Sequence, residues 1–250
     1  SFFQATPSDF TATHQALAGA TMINGWTGQA FNQSPDSANE IHGDKIAKQF
    51  GFTGGLVPGV TISAYLIQPA IEAWGIDWLT RGFAHVKVGS PLYDEEQFDV
   101  RITNQSEVDY QAELVRPDDT VSANAEVSLP EVAAIPPNRR GDEVAEKSFV
   151  GPAASFESFT KLKEDGCKAF RYYWGKEHRM QTYLRDDTGM TDLLRYGDGG
   201  YANMSYLLGI SNWILAGNAH MNPWIHLETS SQNYNPVAAD TSIIAEMEVE

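Results

Sequence analysis

An asparagine, a histidine and a run of glycines carry the chemistry open to this sequence. Asn39 and His42 stand three residues apart, and Asp36 lies six residues before the histidine. An imidazole changes charge near neutral pH, and a carboxylate beside it can share the transfer of a proton to or from a substrate. Downstream comes Gly54-Gly55-Leu56-Val57-Pro58-Gly59, then a long apolar segment. If Gly59 opens a helix, its N–H has no partner within that helix and sits at the positive end of the dipole. With no side chain it lets a ligand come close to the backbone. Each residue also has a plain structural reading. His42 can brace a loop, Asp36 can belong to the turn Ser34-Pro35-Asp36-Ser37, Asn39 can tie loop backbone, and Gly59 can be a packing glycine. Glu40 is a further candidate base, although neighbouring residues usually point in different directions.

Other chemistries lack their residues. Cys167 is the single cysteine, which excludes an intramolecular disulfide and a cysteine-cluster metal site. Lys168 beside it could lower the thiol pKa, but no partner motif accompanies it. His220 and His226 flank Pro223 at a spacing that does not suit two ligands of one metal, so no metal and no cofactor is expected. There is no Gly-x-Ser-x-Gly elbow. Arg195-Tyr196-Gly197-Asp198-Gly199-Gly200-Tyr201 is glycine-rich but has the spacing of neither a P-loop nor a dinucleotide fingerprint. It precedes a second helix much as Gly54–Gly59 precedes the first. Tyr172–His178 mixes aromatic, basic and acidic residues and reads as an exposed amphipathic segment, with an acyl channel lining as the alternative.

The elements that must position these residues follow from periodicity. Asp44–Phe50 suits a short amphipathic helix stopped by Gly51. Leu56–Trp74 is apolar on nearly every side and predicts an enclosed helix, kinked at Pro69 and ended by Gly75. Strands are expected at Phe83–Val88, Gln97–Ile102, Val108–Val115 and Val121–Leu129. A helix followed by four strands implies an antiparallel sheet wrapped around that helix. Residues 133–150, with Pro136-Pro137 and Arg139-Arg140, read as a linker between an N-terminal unit, 1–132, and a C-terminal unit, 151–250. The second unit repeats the order: a helix at Tyr201–Ala216, a strand at Trp224–Glu228, a turn at Asn235-Pro236 and a strand at Thr241–Val249. It ends one strand after its turn, so either this unit is shorter or the natural chain continues past Glu250.

Asn39-Glu40-Ile41-His42, the short helix, and the glycine-rich run ending in Gly59 together resemble the MaoC-like dehydratases, or R-specific enoyl-CoA hydratases. That resemblance implies an α+β fold, the hotdog, in which an antiparallel sheet wraps a long central helix. Two such units in one chain make a double hotdog. The family pattern is Asp-x-Asn-Pro-[Ile/Leu]-His, then a His-Gly pair opening the central helix. Here Ser37 occupies the aspartate position, with Asp36 one residue further away, Glu40 replaces the proline, and Pro58 replaces the second histidine. By resemblance, the acid–base pair is His42 and Asp36, which hold a water. Asn39, Gly55, Val57 and Gly59 then form the substrate-binding side, with the Gly59 N–H as donor to the thioester oxygen.

Composition narrows the alternatives. The chain has 250 residues, 17 Lys plus Arg against 33 Asp plus Glu, and a formal charge of −16. That balance argues against nucleic acid and against an anionic membrane surface as partners. Apolar residues at 42% and aromatics at 11% are enough for a packed core. The most apolar stretches, Leu56–Leu79 and Tyr201–Trp224, carry polar residues throughout and do not read as membrane spans. No signal-peptide pattern opens the chain, so a cytoplasmic protein is expected. The expected function is a hydratase or dehydratase acting on an acyl-CoA-type thioester, in a homo-oligomer, a dimer, with one half holding the catalytic loop and the other supplying an acyl tunnel. The alternatives are a hotdog thioesterase and a non-catalytic protein that binds acyl groups or other small ligands. Lys45, Lys48, Arg81, Arg139 and Arg140 are the candidate cations for the phosphates of CoA.

Overall fold

The computed structural model describes residues 22–175, 194 and 200–250. The first half is built on α2, Gly59–Trp74, twelve of whose residues are buried. Pro69 lies inside this helix without breaking it. A proline has no N–H, so the Tyr65 carbonyl loses its helical donor. The Trp26 indole Nε1–H fills the gap, donating to Tyr65 O at 3.1 Å. At Gly75 a φ of +55° ends the helix, a conformation that favours glycine. A short α3, Ile76–Arg81, follows.

An antiparallel sheet wraps α2. Its strands are β1 (Trp26–Gln29), β2 (Phe83–Val88), β3 (Gln97–Gln105), β4 (Asp109–Val115) and β5 (Val121–Ser128). The period-two pattern places Ala84 and Val86, Phe98 and Val100, Tyr110, Ala112 and Leu114, and Ala123, Ala125 and Val127 in one core with α2. Tyr110 hangs on the helix through its hydroxyl, which donates to Leu66 O at 2.7 Å. This is the antiparallel sheet packed on a helix that the sequence implies.

In the second half α4 (Phe156–Asp165) is followed by β6 (Phe170–Trp174), α5 (Met204–Asn218), β7 (Glu228–Gln232) and β8 (Thr241–Ala245). These repeat the first half: β6 pairs with β8 as β1 pairs with β3, and α5 lies beside α2. Thr61 of α2 and Ser205 of α5 are in hydrogen-bond contact and lie 144 residues apart. The same shift carries the start of β1 to the start of β6, and that of β3 to that of β8. Strand β7 pairs with β2, giving the order β1-β3-β4-β5-β2-β7, so one sheet spans both halves. Among the described residues the second half has no counterpart of β4 or β5.

Four expectations need correction. The strand expected at Trp224–Glu228 begins at Glu228, because Asn39 occupies both backbone groups of Trp224 and takes it out of the ladder. The second central helix starts at Met204 rather than Tyr201, where the Asn203 side chain accepts the Ser205 N–H at 2.7 Å as an N-cap. The first starts at Gly59 rather than Leu56, because the Leu56 and Val57 N–H groups donate to Ile41 O and Leu92 O. Tyr172–Trp174 is not an exposed amphipathic segment: it lies in β6, with Trp174 only 1% exposed. Its continuation, 176–178, and 195–199 of the glycine-rich run lie outside the described residues.

Candidate active site

The loop that carries the candidate residues runs from β1 into a 3-10 turn, Glu40–His42, and then into α1, Asp44–Gln49. Several bonds fix it. The Asn32 Nδ2 donates to His42 O at 2.9 Å, and the Asn32 N–H donates to Asp94 Oδ1 at 2.8 Å. The Gly55 N–H donates to Asp44 Oδ1 at 2.8 Å. Gly55 is glycine for a steric reason: a Cβ there would lie 2.1 Å from His42 O. Its part is thus to let two backbone segments meet. Val57 is buried with its N–H on Leu92 O, and it does not line the cavity described below.

His42 is held in one orientation. Its Nδ1 lies 2.7 Å from Leu56 O, an atom that only accepts, so Nδ1 carries the proton and Nε2 presents a lone pair. Burial lowers the His42 pKa, partly offset by the bond to Leu56. The ring is therefore neutral at pH 7 and basic at Nε2, the form that a proton acceptor needs. Asn39 Nδ2 is 3.4 Å from that nitrogen.

Asn39 does more for the architecture. Its Nδ2 donates to Trp224 O at 2.8 Å and its Oδ1 accepts from the Trp224 N–H at 3.1 Å. Glu40 makes a parallel pair with Asn222: Glu40 N–H to Asn222 Oδ1 at 2.8 Å, and Asn222 Nδ2 to Glu40 Oε2 at 2.6 Å. The loop bearing His42 is thereby fastened to the segment following α5. Glu40 is engaged in this clamp and is not among the cavity residues.

A cavity of about 660 Å³ opens over the loop. Asp36, Ser37, Asn39 and His42 line it, with Pro58, Val60 and Thr61 from the start of α2. Gly209, Trp213 and Ala216 of α5 and Met221 and Trp224 beyond it complete an apolar wall, in which Asn212 is a polar exception. Gly59 is not among the lining residues; its Cα faces His226, whose Cβ and Cδ2 would lie 3.1 Å from an added Cβ. Thr61 and Ile62 both donate to Pro58 O, so Gly59 and Val60 carry N–H groups that the helix itself does not satisfy. Asp36 lies exposed on the rim, without a side-chain hydrogen bond among the described residues. Ser37, at the family's aspartate position, spends its hydroxyl on Asn39 O at 2.9 Å.

The proposed phosphate cations are largely committed elsewhere. Lys48 pairs with Asp44, Arg81 with Asp77, and Arg140 with Asp142 and Glu248. Cys167 is buried, and burial raises its pKa, the opposite of an activated nucleophile. Among the described residues no group of three His, Cys, Asp or Glu is placed to hold a metal. No described helix is long and apolar enough to cross a membrane.

In structure the chain is similar to hotdog (R)-hydratases. R-hydratase PhaJ1 from Pseudomonas aeruginosa shares 16% identity over 47% of this chain and 90% of its own, with a TM-score of 0.31. An (R)-hydratase from A. caviae shares 16% over 46% of this chain and 99% of its own, with a TM-score of 0.33. Full-length peroxisomal multifunctional enzyme type 2 from Drosophila melanogaster shares 10% over 90% of this chain and 43% of its own, with a TM-score of 0.44. No family model and no curated protein matches the sequence.

Sequence reasoning missed lining residues on both sides of the cavity, among them Asn32, Gln33, Thr61 and Asp94 from the first half. Asn212, Trp213, Met221 and Trp224 belong to no motif, and only the packing of α5 beside α2 brings them to the loop.

Proposed function

We propose that this protein is a double hotdog that hydrates enoyl thioesters, or dehydrates 3-hydroxyacyl thioesters in reverse, by acid–base catalysis. The observation that carries the reading is His42, a half-buried neutral imidazole with Nε2 basic, in the wall of a cavity between the two central helices. In hydration, a water held at Nε2 adds its oxygen to the β-carbon, and His42 takes its proton. The electron pair of the double bond moves toward the thioester oxygen, and as it returns the α-carbon takes the proton back from His42, which is left neutral. Asp36 is the second group on the water, through a one-residue bulge relative to the family spacing. Asn39 keeps the loop in place, and the start of α2 offers N–H donors to the thioester oxygen. The apolar wall from α5 receives the acyl group, and the chain works as a homodimer.

The test is to incubate the protein with enoyl-CoA thioesters of several chain lengths. Loss of enoyl absorbance with the thioester intact supports hydration, and His42→Ala should abolish it. Release of free thiol would identify a thioesterase instead. One observation favours a second reading, a binder of acyl groups without turnover: Asp36 is exposed, and no described residue fixes it against His42. Calorimetric binding with no conversion over hours would establish that reading.

A further inference from the structure

The second central helix supplies a polar group that the reading above leaves idle. Asn212 lies on α5 and lines the same cavity as His42. Its Oδ1 is 3.2 Å from His226 Nδ1. An amide oxygen only accepts, so Nδ1 carries the proton. The other ring nitrogen, Nε2, then accepts, and its partner is the Thr229 hydroxyl. Burial lowers the His226 pKa, so the ring is neutral and one tautomer satisfies both contacts. The chain from the Thr229 O–H through His226 to Asn212 Oδ1 therefore runs in one direction. It turns the other end of the amide, Nδ2 with its two N–H donors, away from the histidine. Among the described residues no acceptor is bonded to it.

The same imidazole packs on Gly59, at the start of α2. His226 thus both touches the helix end at which the thioester oxygen is expected and orients the amide beside it. We propose that Asn212 Nδ2 donates a hydrogen bond to the carbonyl oxygen of an acyl thioester in this cavity, with His226 and Thr229 as positioning residues. The proposal rests on the acyl-thioester reading above. An acyl chain has no acceptor of its own, whereas every acyl thioester carries this oxygen at its reacting end, where charge builds during hydration. A ligand lacking the oxygen would strip water from the amide and leave it unpaired, a penalty that discriminates between the two.

A pair of unreactive ligands tests this by calorimetry: a saturated acyl-CoA thioester, and the thioether in which a methylene replaces the carbonyl. Wild type should bind the thioester roughly three- to tenfold more tightly, the scale of one hydrogen bond. Asn212→Leu should cut that preference severalfold, in part by relieving the penalty that the thioether pays, and what remains is the share of the N–H donors at the start of α2. A preference left undiminished by Asn212→Leu overturns the proposal, as does equal wild-type affinity for the two ligands. Should Asn212→Leu not fold, Thr229→Val carries the test: it frees His226 to reorient and should reduce the preference, and an undiminished preference overturns the positioning chain. If wild type binds neither ligand, the acyl-thioester reading fails and this proposal falls with it. Binding of both without discrimination defeats the Asn212 assignment alone.

Discussion

His42 shows how a single carbonyl sets a residue's chemistry. Leu56 O takes the proton-bearing nitrogen and leaves Nε2 as base, while burial holds the ring neutral. The pH dependence follows with its sign. His42 and His226 both titrate below the ordinary 6.5 in the folded state, so the folded state resists protonation that the unfolded chain accepts. The stability they contribute is present above about 6.5 and is lost as pH falls through their lowered folded values. Melting temperature should therefore drop on that acid limb, and His42→Gln should flatten part of the drop. Hydration should fall over the same range, because the protonated ring cannot act as base. Asp36 has the opposite character, exposed and without a side-chain hydrogen bond among the described residues. Asp36→Asn should cost hydration on the order of a hundredfold, the usual scale for a general base, with circular dichroism unchanged. Hydration that survives undiminished would remove Asp36 from the mechanism and leave His42 to act alone.

At the level of elements, the loop from β1 to α1 is held by close backbone approach as much as by hydrogen bonds. Gly55 is the clearest case. A methyl group at 2.1 Å from His42 O cannot be accommodated without moving the loop or the start of α2. Gly55→Ala should destabilise the fold by about 1–3 kcal/mol, the scale of overpacking, read as a lower denaturant midpoint. Activity should fall further than stability, because the backbone that shifts is that of His42 itself. Asn39→Ala breaks both bonds to Trp224 and leaves its half-buried backbone groups without those partners. The clamp formed by Glu40 and Asn222 remains in that variant, so the loop should loosen rather than detach, visible as faster amide exchange across 37–43.

The whole molecule is joined at its centre by a small polar knot. The Thr61 hydroxyl meets Gln33 Oε1, and it lies 2.8 Å from the Ser205 hydroxyl, which itself donates to Gln33 Oε1 at 3.1 Å. Thr61 and Ser205 are almost fully buried, at 0% and 2% exposure. The knot links both central helices to the loop that bears His42. Thr61→Val should cost about 1–3 kcal/mol, since it strands buried polar atoms. Adding Ser205→Ala should cost less than its effect alone, because the two hydroxyls share one acceptor. A double-mutant cycle in urea measures that coupling, and strict additivity would show that the knot does not act as a unit.

Local pattern was enough to place α2 and four of the strands that wrap it, though not β1, because period-two burial and an all-round apolar helix are written in neighbouring residues. The motif around Asn39 and His42 was legible for the same reason. Periodicity started α2 at Leu56, and only the backbone bonds of Leu56 and Val57 set its first residue at Gly59. Tertiary structure decided the rest. Nothing near Asn39 in sequence announces that it would take both backbone groups of Trp224, and that long-range pairing moved the start of β7 from Trp224 to Glu228. Periodicity alone did not separate the capped start of α5 from the apolar residues before it. The cavity's second wall has no signature at all: Asn212, Trp213 and Trp224 became site residues only when α5 packed against α2. Chemistry confined to one loop can be read from spacing, whereas a pocket between two halves exists only once both have folded together.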